Sequence, residues 1–250
     1  NFYRALTASQ YARYAAMVQD DFRFVVKAPS LVTDATVRDE SGRGMQANPV
    51  FLNSEIAIQE FVQPALEGLG HRIGALVFQL SPIPAQLLAD QPALLARIGE
   101  MLEALPGLKP TAPDAVIAVE VRDPQLLCPA FADMLRSVGA TFCMGLHAKM
   151  PPIEDQLPML RALWPGPLVC RWNLHRRHGR FGYEDAEKLY GPFDRIVDPD
   201  PETREALARV IAGTTGAGQL AYVTVSNNAE GCAPLTIASL ARDIAGLPKR

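Results

Sequence analysis

Six short apolar stretches alternate with helical segments along the chain, and nothing between them reads as a β-hairpin. The strands are expected at residues 22–30, 73–82, 115–124, 140–147, 167–173 and 220–228. Apolar residues at helical spacing mark helices over about 8–18, 52–68, 84–105, 125–138, 154–163, 201–213 and 234–246, with another beginning near Tyr183. Strands that always return through a helix pair in parallel, and a parallel sheet needs helices over its faces. The expected class is therefore α/β. The 250 residues are about the length of one (β/α)8 barrel, so a single domain over 1–250 is the simplest division.

The longest interruption of this rhythm is residues 31–50, polar and carrying Gly42, Gly44 and Pro49. Connections of that length are commonly lids or binding loops, and a mobile lid and plain disorder both remain open. The chain starts at Asn1 rather than Met, so earlier segments are expected to precede it, and no signal peptide is read at its start. A net charge of −3 exerts no global pull toward nucleic acid or an anionic membrane. No apolar run approaches the ~20 residues that span a bilayer. Cys128, Cys143, Cys170 and Cys232 never stand at C-x-x-C spacing, which argues against a zinc ribbon or a disulfide scaffold. Buried thiols in a reducing cytoplasm fit this usage.

Polar residues recur at one end of these strands. In AVIAVEVRDP (115–124), Ala118, Glu120 and Arg122 share one face, opposite Ile117, Val119 and Val121. An unpaired buried ion costs several kcal/mol, so two charges there imply partners. Lys27, Gln79, Arg171 with Asn173, and Asn227 with Asn228 occupy the corresponding C-terminal ends of four other strands. Parallel strands bring those ends to one rim, where α/β proteins bind ligands. The same residues could instead pair among themselves as a structural polar layer.

Several familiar chemistries are missing. GLGHRIG (68–74) precedes a strand instead of following one, so it is no dinucleotide loop. There is no G-x-S-x-G elbow and no H-E-x-x-H pair. His147 ends a strand and could share a metal with Glu120, although a lone histidine of this kind is more often satisfied by backbone or water, and no metal site is assigned. The run RWNLHRRHGR (171–180) places Arg176, Arg177 and Arg180 beyond a strand end. Such a cluster suits phosphate or carboxylate, or forms a solvated loop paired with acids such as Glu184 and Asp185.

FYR (2–4), FRFVVKAP (22–29), LVFQLSP (76–82), VEVRDP (119–124), Arg171 after an apolar strand, and VSNNAEGCAP (225–234) follow one another as in a known family. In this the chain resembles domain-of-unknown-function family 72, the YecE-like proteins. The resemblance implies a TIM (β/α)8-like barrel whose first strand and most of the second precede Asn1. Residues 22–29, 115–124 and 167–173 then become strands three, five and seven. Alternate strands share a layer of a barrel interior, so Lys27, Glu120 and Arg171 would face one another, the two cations keeping the carboxylate ionised. Gln79, Asn227 and Asn228 would come from even-numbered strands, and the FYR element adds Tyr3 and Arg4 as ligand contacts. Where many members read Arg-Leu-His-Gly, this chain reads Arg171-Trp172-Asn173-Leu174, and its sixth strand lacks a terminal acid. Both departures weigh against carrying over an acid–base or metal role there.

The resemblance implies a fold and no particular activity. An enzyme acting on a small anionic or phosphorylated ligand would use Glu120 as general acid or base. Lys27 and Arg171 would stabilise the anion, while Gln79, Arg122, Asn173, Asn227 and Asn228 position it. A non-catalytic binding or scaffold barrel would need only the polar mouth. A nucleic-acid-processing protein would draw on the arginines of 171–180 against an acidic overall balance. The sequence names no cofactor, substrate or oligomeric state.

Overall fold

The computed structural model describes residues 4–38, 44–179 and 182–248. Its contacts divide into two compact units, residues 1–141 and 142–250. The first carries β1 (Phe24–Lys27), β2 (Thr36–Arg38), β3 (Gly44–Ala47), β4 (Ile73–Gln79) and β5 (Val116–Glu120). Strands β1, β4 and β5 pair in parallel, with Lys27 opposite Val77, Val77 opposite Ala118 and Gln79 opposite Glu120. The second unit holds β6 (Thr141–Leu146), β7 (Leu168–Trp172) and β8 (Ala221–Val225), again parallel, with Arg171 between Gly145 and Thr224. Each unit is thus built of the strand–helix repeats of a TIM-like α/β fold, as the periodicity and the resemblance lead one to expect.

Strand β4 shows why an almost uninterrupted apolar run marks such a strand: every residue from Ile73 to Gln79 is buried. On one face Phe78 meets Phe61 edge-to-face at 5.4 Å between centroids, so this face receives the helices. Val77 and Gln79 leave on the other face. The helical stretch that covers the strand runs from Ser54 to Leu69 with a π turn over Ile58–Val62, and buries Phe61, Val62, Ala65, Leu66 and Leu69. It stops at Gly70, whose φ of +55° suits a residue without a Cβ.

Several strands end a few residues short of their expected bounds, and three further departures alter the path of the chain. Residues 31–50, expected as an unstructured connection, contain a short helix (Ser30–Thr33) and an antiparallel ribbon of β2 and β3. Asn48 closes the base of that ribbon by donating from Nδ2 to the carbonyls of Leu31 (2.8 Å) and Asp34 (2.7 Å). The ribbon left no signal because its strands, TVR and GMQA, show no alternation of apolar and polar residues. Residues 84–105 form two helices, Ala85–Leu88 and Gln91–Glu103, because the Asp90 side chain caps Ala93 N–H at 3.1 Å and starts a new helix. Strand β5 ends at Glu120, before the 124 expected, where Asp123 turns to accept the Ile83 N–H at 2.9 Å and Pro124 has no N–H to give.

Among the described residues no helix is long and apolar enough to cross a membrane. All four cysteines are free, with Cys143, Cys170 and Cys232 buried.

Gly68 sits at a close approach between two helices of the first unit. A Cβ there would lie 2.4 Å from both the Ala8 carbonyl oxygen and the Tyr11 Cβ. Gly213, inside the helix Pro201–Gly216, has nothing within 4 Å of the same position. Alanine favours a helix interior over glycine by about 1 kcal/mol, whereas overpacking costs about 1–3 kcal/mol. In urea unfolding, Gly68→Ala should therefore lower the midpoint and Gly213→Ala raise it. Equal shifts for the two would remove the close approach as a constraint.

Candidate functional site

In the first unit, the parallel register stands Gln79 beside Glu120 at the C-terminal ends of β4 and β5. Arg122 lies two residues past the end of β5. Its Nη2 forms an ion pair with Glu120 Oε1 at 2.8 Å and donates a hydrogen bond to Gln79 Oε1 at 3.2 Å. Lys27 Nζ, one register level below on β1, reaches up to the same Gln79 oxygen at 3.4 Å. The Gln79 amide oxygen thus accepts from two cations, which fixes how the amide points. Glu120 is fully buried, while Gln79 and Arg122 are each 7% exposed. One guanidinium nitrogen of Arg122, Nη1, is buried and has no hydrogen-bond partner among the described residues.

The loops around this group are tied down by backbone bonds. Leu80 N–H donates to the Glu120 carbonyl at 2.8 Å, extending the ladder one step past β4. Ser81 N–H donates to the Thr33 carbonyl at 3.4 Å. Asp34, 3% exposed beside Thr33, is a buried acid that the sequence reading did not single out. Arg4, an expected ligand contact, is exposed in a bend ahead of the helix Ala8–Ala15, and Tyr3 lies outside the described residues.

In the second unit, Arg171 stands half-buried on β7, flanked in register by Gly145 and Thr224. Asn173 is 7% exposed and donates from Nδ2 to the Arg171 carbonyl at 3.1 Å. Asn227 Oδ1 accepts the Ala233 N–H at 2.8 Å, so it caps the helix Ala233–Gly246. The Asn228 carbonyl accepts the His175 N–H at 2.9 Å, and its Oδ1 is buried without a partner among the described residues.

A second polar group in this unit went unnoticed at the sequence level. Tyr190, fully buried against Leu174 and Ala186, donates from its hydroxyl to Asp198 Oδ2 at 2.9 Å and meets His178 Nε2 at 2.7 Å. Arg177 holds the other Asp198 oxygen at 2.5 Å, so its acid is Asp198 rather than Glu184 or Asp185. Glu230, fully buried, accepts from Asp200 N–H at 2.6 Å and from Arg204 at 3.0 Å, and Arg204 also binds Asp243 at 2.6 Å. These partners lie 8 to 39 residues apart in sequence, at spacings that match no motif.

The environment shifts several of these groups. Burial, reinforced by the neighbouring His175 and Arg177, lowers the His178 pKa from its ordinary value, against the pull of Asp198 and Asp185. Burial alone would raise Asp198, but the hydrogen bonds from Tyr190 and Arg177 outweigh it and hold the carboxyl below its usual range. The Tyr190 phenol is pushed up, first by burial and then by Asp198. Among the described residues no three of His, Cys, Asp or Glu come together closely enough to hold a metal ion. His147 Nδ1 accepts the Lys149 N–H at 3.2 Å.

The family model described as "Protein of unknown function DUF72" matches residues 1–249. Among solved structures, a DUF72 family protein from Enterococcus faecalis is similar at 14% identity with a TM-score of 0.57. That likeness covers 99% of this chain and 83% of the other. A DUF72 family protein from Thermotoga maritima is similar at 16% identity and the same TM-score of 0.57, covering 98% and 82%. No curated protein matches.

The lowered His178 pKa fixes a direction for stability. The unfolded chain takes up a proton below its ordinary value of 6.5, while the folded chain holds His178 neutral to lower pH. The stabilisation it brings is full above that value and drains away as pH falls through the folded pKa. The urea midpoint should therefore drop between pH 7 and pH 5, conditions chosen to bracket the ordinary histidine pKa of about 6.5. His178→Gln should flatten that drop, and an unchanged slope in the variant would assign the acid sensitivity elsewhere.

Proposed function

The chain belongs to the DUF72 family, and from that premise we propose that it binds a small anionic or phosphorylated ligand at the C-terminal ends of its strands, with Glu120 as general acid or base. The observation that carries this reading is the Lys27–Gln79–Arg122–Glu120 chain, with Arg122 Nη1 buried at its head and without a hydrogen-bond partner among the described residues. A buried ion pair contributes little net stability, because desolvation of both ions offsets their attraction. Leaving a guanidinium N–H unsatisfied adds a further cost of about 1–3 kcal/mol. A group that adds little to folding and keeps a donor unused is suited to receiving an acceptor from outside.

A carboxylate or phosphoryl oxygen is the acceptor that a guanidinium fork matches best. Lys27, only partly buried, supplies a second positive charge on a flexible stem. Glu120, held by Arg122 at 2.8 Å, is the one carboxylate of this group and so its candidate for moving a proton. Taken by itself, the second unit offers Arg171 at the end of β7 for anion contact, with Asn173 and Asn228 for hydrogen bonds to polar groups. Asn227 retains a donor amide for the same work while its oxygen caps a helix.

Inorganic phosphate serves as the first probe. It should raise the thermal midpoint of the wild-type chain in a saturable way, since a ligand that binds only the folded state stabilises it by mass action. Lys27→Met should weaken that response at least tenfold, about 1.4 kcal/mol of binding. Identical phosphate responses in the two proteins would overturn the reading. With any phosphate or carboxylate ester found to turn over, Glu120→Gln should abolish turnover while phosphate still binds. Retained turnover would leave a binding protein with no acid–base role for Glu120.

A further inference from the structure

The second unit contains a cleft of about 390 Å³ that lies between the helices Ile153–Ala162 and Pro201–Gly216. Leu157, Leu160, Arg161 and Trp164 face it from the first helix and its C-terminal extension, at offsets of three, four and seven residues. Arg209, Val210, Gly213 and Thr214 face it from the second, at offsets of one, four and five. Both sets are single helical stripes. Two such stripes normally close on each other. Here Gly213 presents no side chain, with nothing within 4 Å of where its Cβ would be, and the space stays open.

The chemistry of the lining is specific. Leu157, Leu160 and Val210 make an apolar floor. The indole of Trp164 is 51% exposed, a large flat apolar surface left in water. Two guanidinium groups line the same cleft. Arg161 makes no ion pair among the described residues, and Arg209 has only Glu205 at 3.9 Å, both of those side chains about 60% exposed. An exposed pair of that kind contributes little and yields readily to a better partner. No acid lines the cleft.

We infer that this cleft is a binding site for an amphipathic organic anion: an aromatic or branched aliphatic body on the Trp164 side, with a carboxylate held by Arg161 and Arg209. An apolar body buries the indole and leucine surface, and the planar carboxylate meets the fork geometry of arginine. The volume lies within the roughly 300–1,000 Å³ of small-molecule sites, enough for a fused two-ring acid. A free phosphate would satisfy the arginines and leave the apolar lining wet, so this site differs in chemistry from the strand-end group of the first unit.

The chain has two tryptophans, and Trp172 is 1% exposed, so Trp164 dominates any change in emission caused by a surface ligand. Titration of the full chain with 2-naphthoate should give a saturable shift in tryptophan emission. Gly213→Leu, which fills the cleft, should abolish it, and Arg161→Gln should weaken it at least tenfold. Neutral 2-naphthalenemethanol should bind at least tenfold more weakly, and inorganic phosphate should leave the emission unchanged. Equal binding of the neutral alcohol, displacement by phosphate, or no saturable shift would each overturn the inference. So would a protein-concentration-dependent burial of Trp164 without probe, matched by dimerisation in sedimentation, since a second copy would then be the occupant.

Discussion

The buried pairing of Glu120 with Arg122 sets the terms for the whole strand-end region of the first unit. A carboxylate with no exposed surface must be met by a donor, and a guanidinium that is 7% exposed must have its own acceptors. Those needs place Gln79 on the adjacent strand at the same level, and the parallel register of β4 and β5 is what delivers it there. Lys27 then joins from β1 through the same amide oxygen. A slip of one residue in either pairing would send Gln79 or Lys27 to the helix-covered face, where Phe78 and Phe61 pack. The charge cluster and the hydrophobic layer thus specify one another.

The second unit manages its acids differently. Glu230 and Asp198 anchor the chain that follows β7 and β8: Glu230 holds the Asp200 backbone and Arg204, and Asp198 holds Tyr190 and Arg177. The Glu230 carbonyl also accepts the N–H groups of Val197 (2.8 Å) and Asp198 (3.1 Å). Gly231, at φ +116°, passes so close that a Cβ would lie 2.6 Å from the Arg195 carbonyl oxygen. Two loops are thereby locked together at their backbones. His175 and His178, on the segment that follows β7, are tied to these loops by the Arg177–Asp198 pair and by the His175 N–H on the Asn228 carbonyl.

Much of this was legible in the residues themselves. The six parallel strands, the helices between them and the polar character of the strand ends all follow from local spacing. That Glu120 needs a cationic partner was foreseeable from its place on a buried strand; that Arg122 of its own segment supplies one, with Gln79 beside it, was not. The ribbon at Thr36–Arg38 and Gly44–Ala47 was not legible, because TVR and GMQA carry no apolar alternation. Asn227 looked like a ligand donor, and its oxygen proved to cap a helix six residues on. Asp198, Glu230 and Tyr190 gave no signal, since an acid in a polar stretch reads as a solvated one until its partners are known.

Local periodicity, then, settled the fold class and the end of the strands at which polar chemistry collects. A strand's two-residue repeat and a helix's 3.6-residue repeat are properties of a short window, and burial imposes them on composition directly. Which donor meets which acceptor is a different matter. It depends on strand register, loop closure and the burial of groups tens of residues apart, and the free energy of a charge depends on all of them at once. That is why the chain announced Glu120 and Arg122, and why only the folded structure decided that Gln79 joins them to Lys27, that Arg177 answers Asp198, and that Gly213 leaves a cleft open beside Trp164.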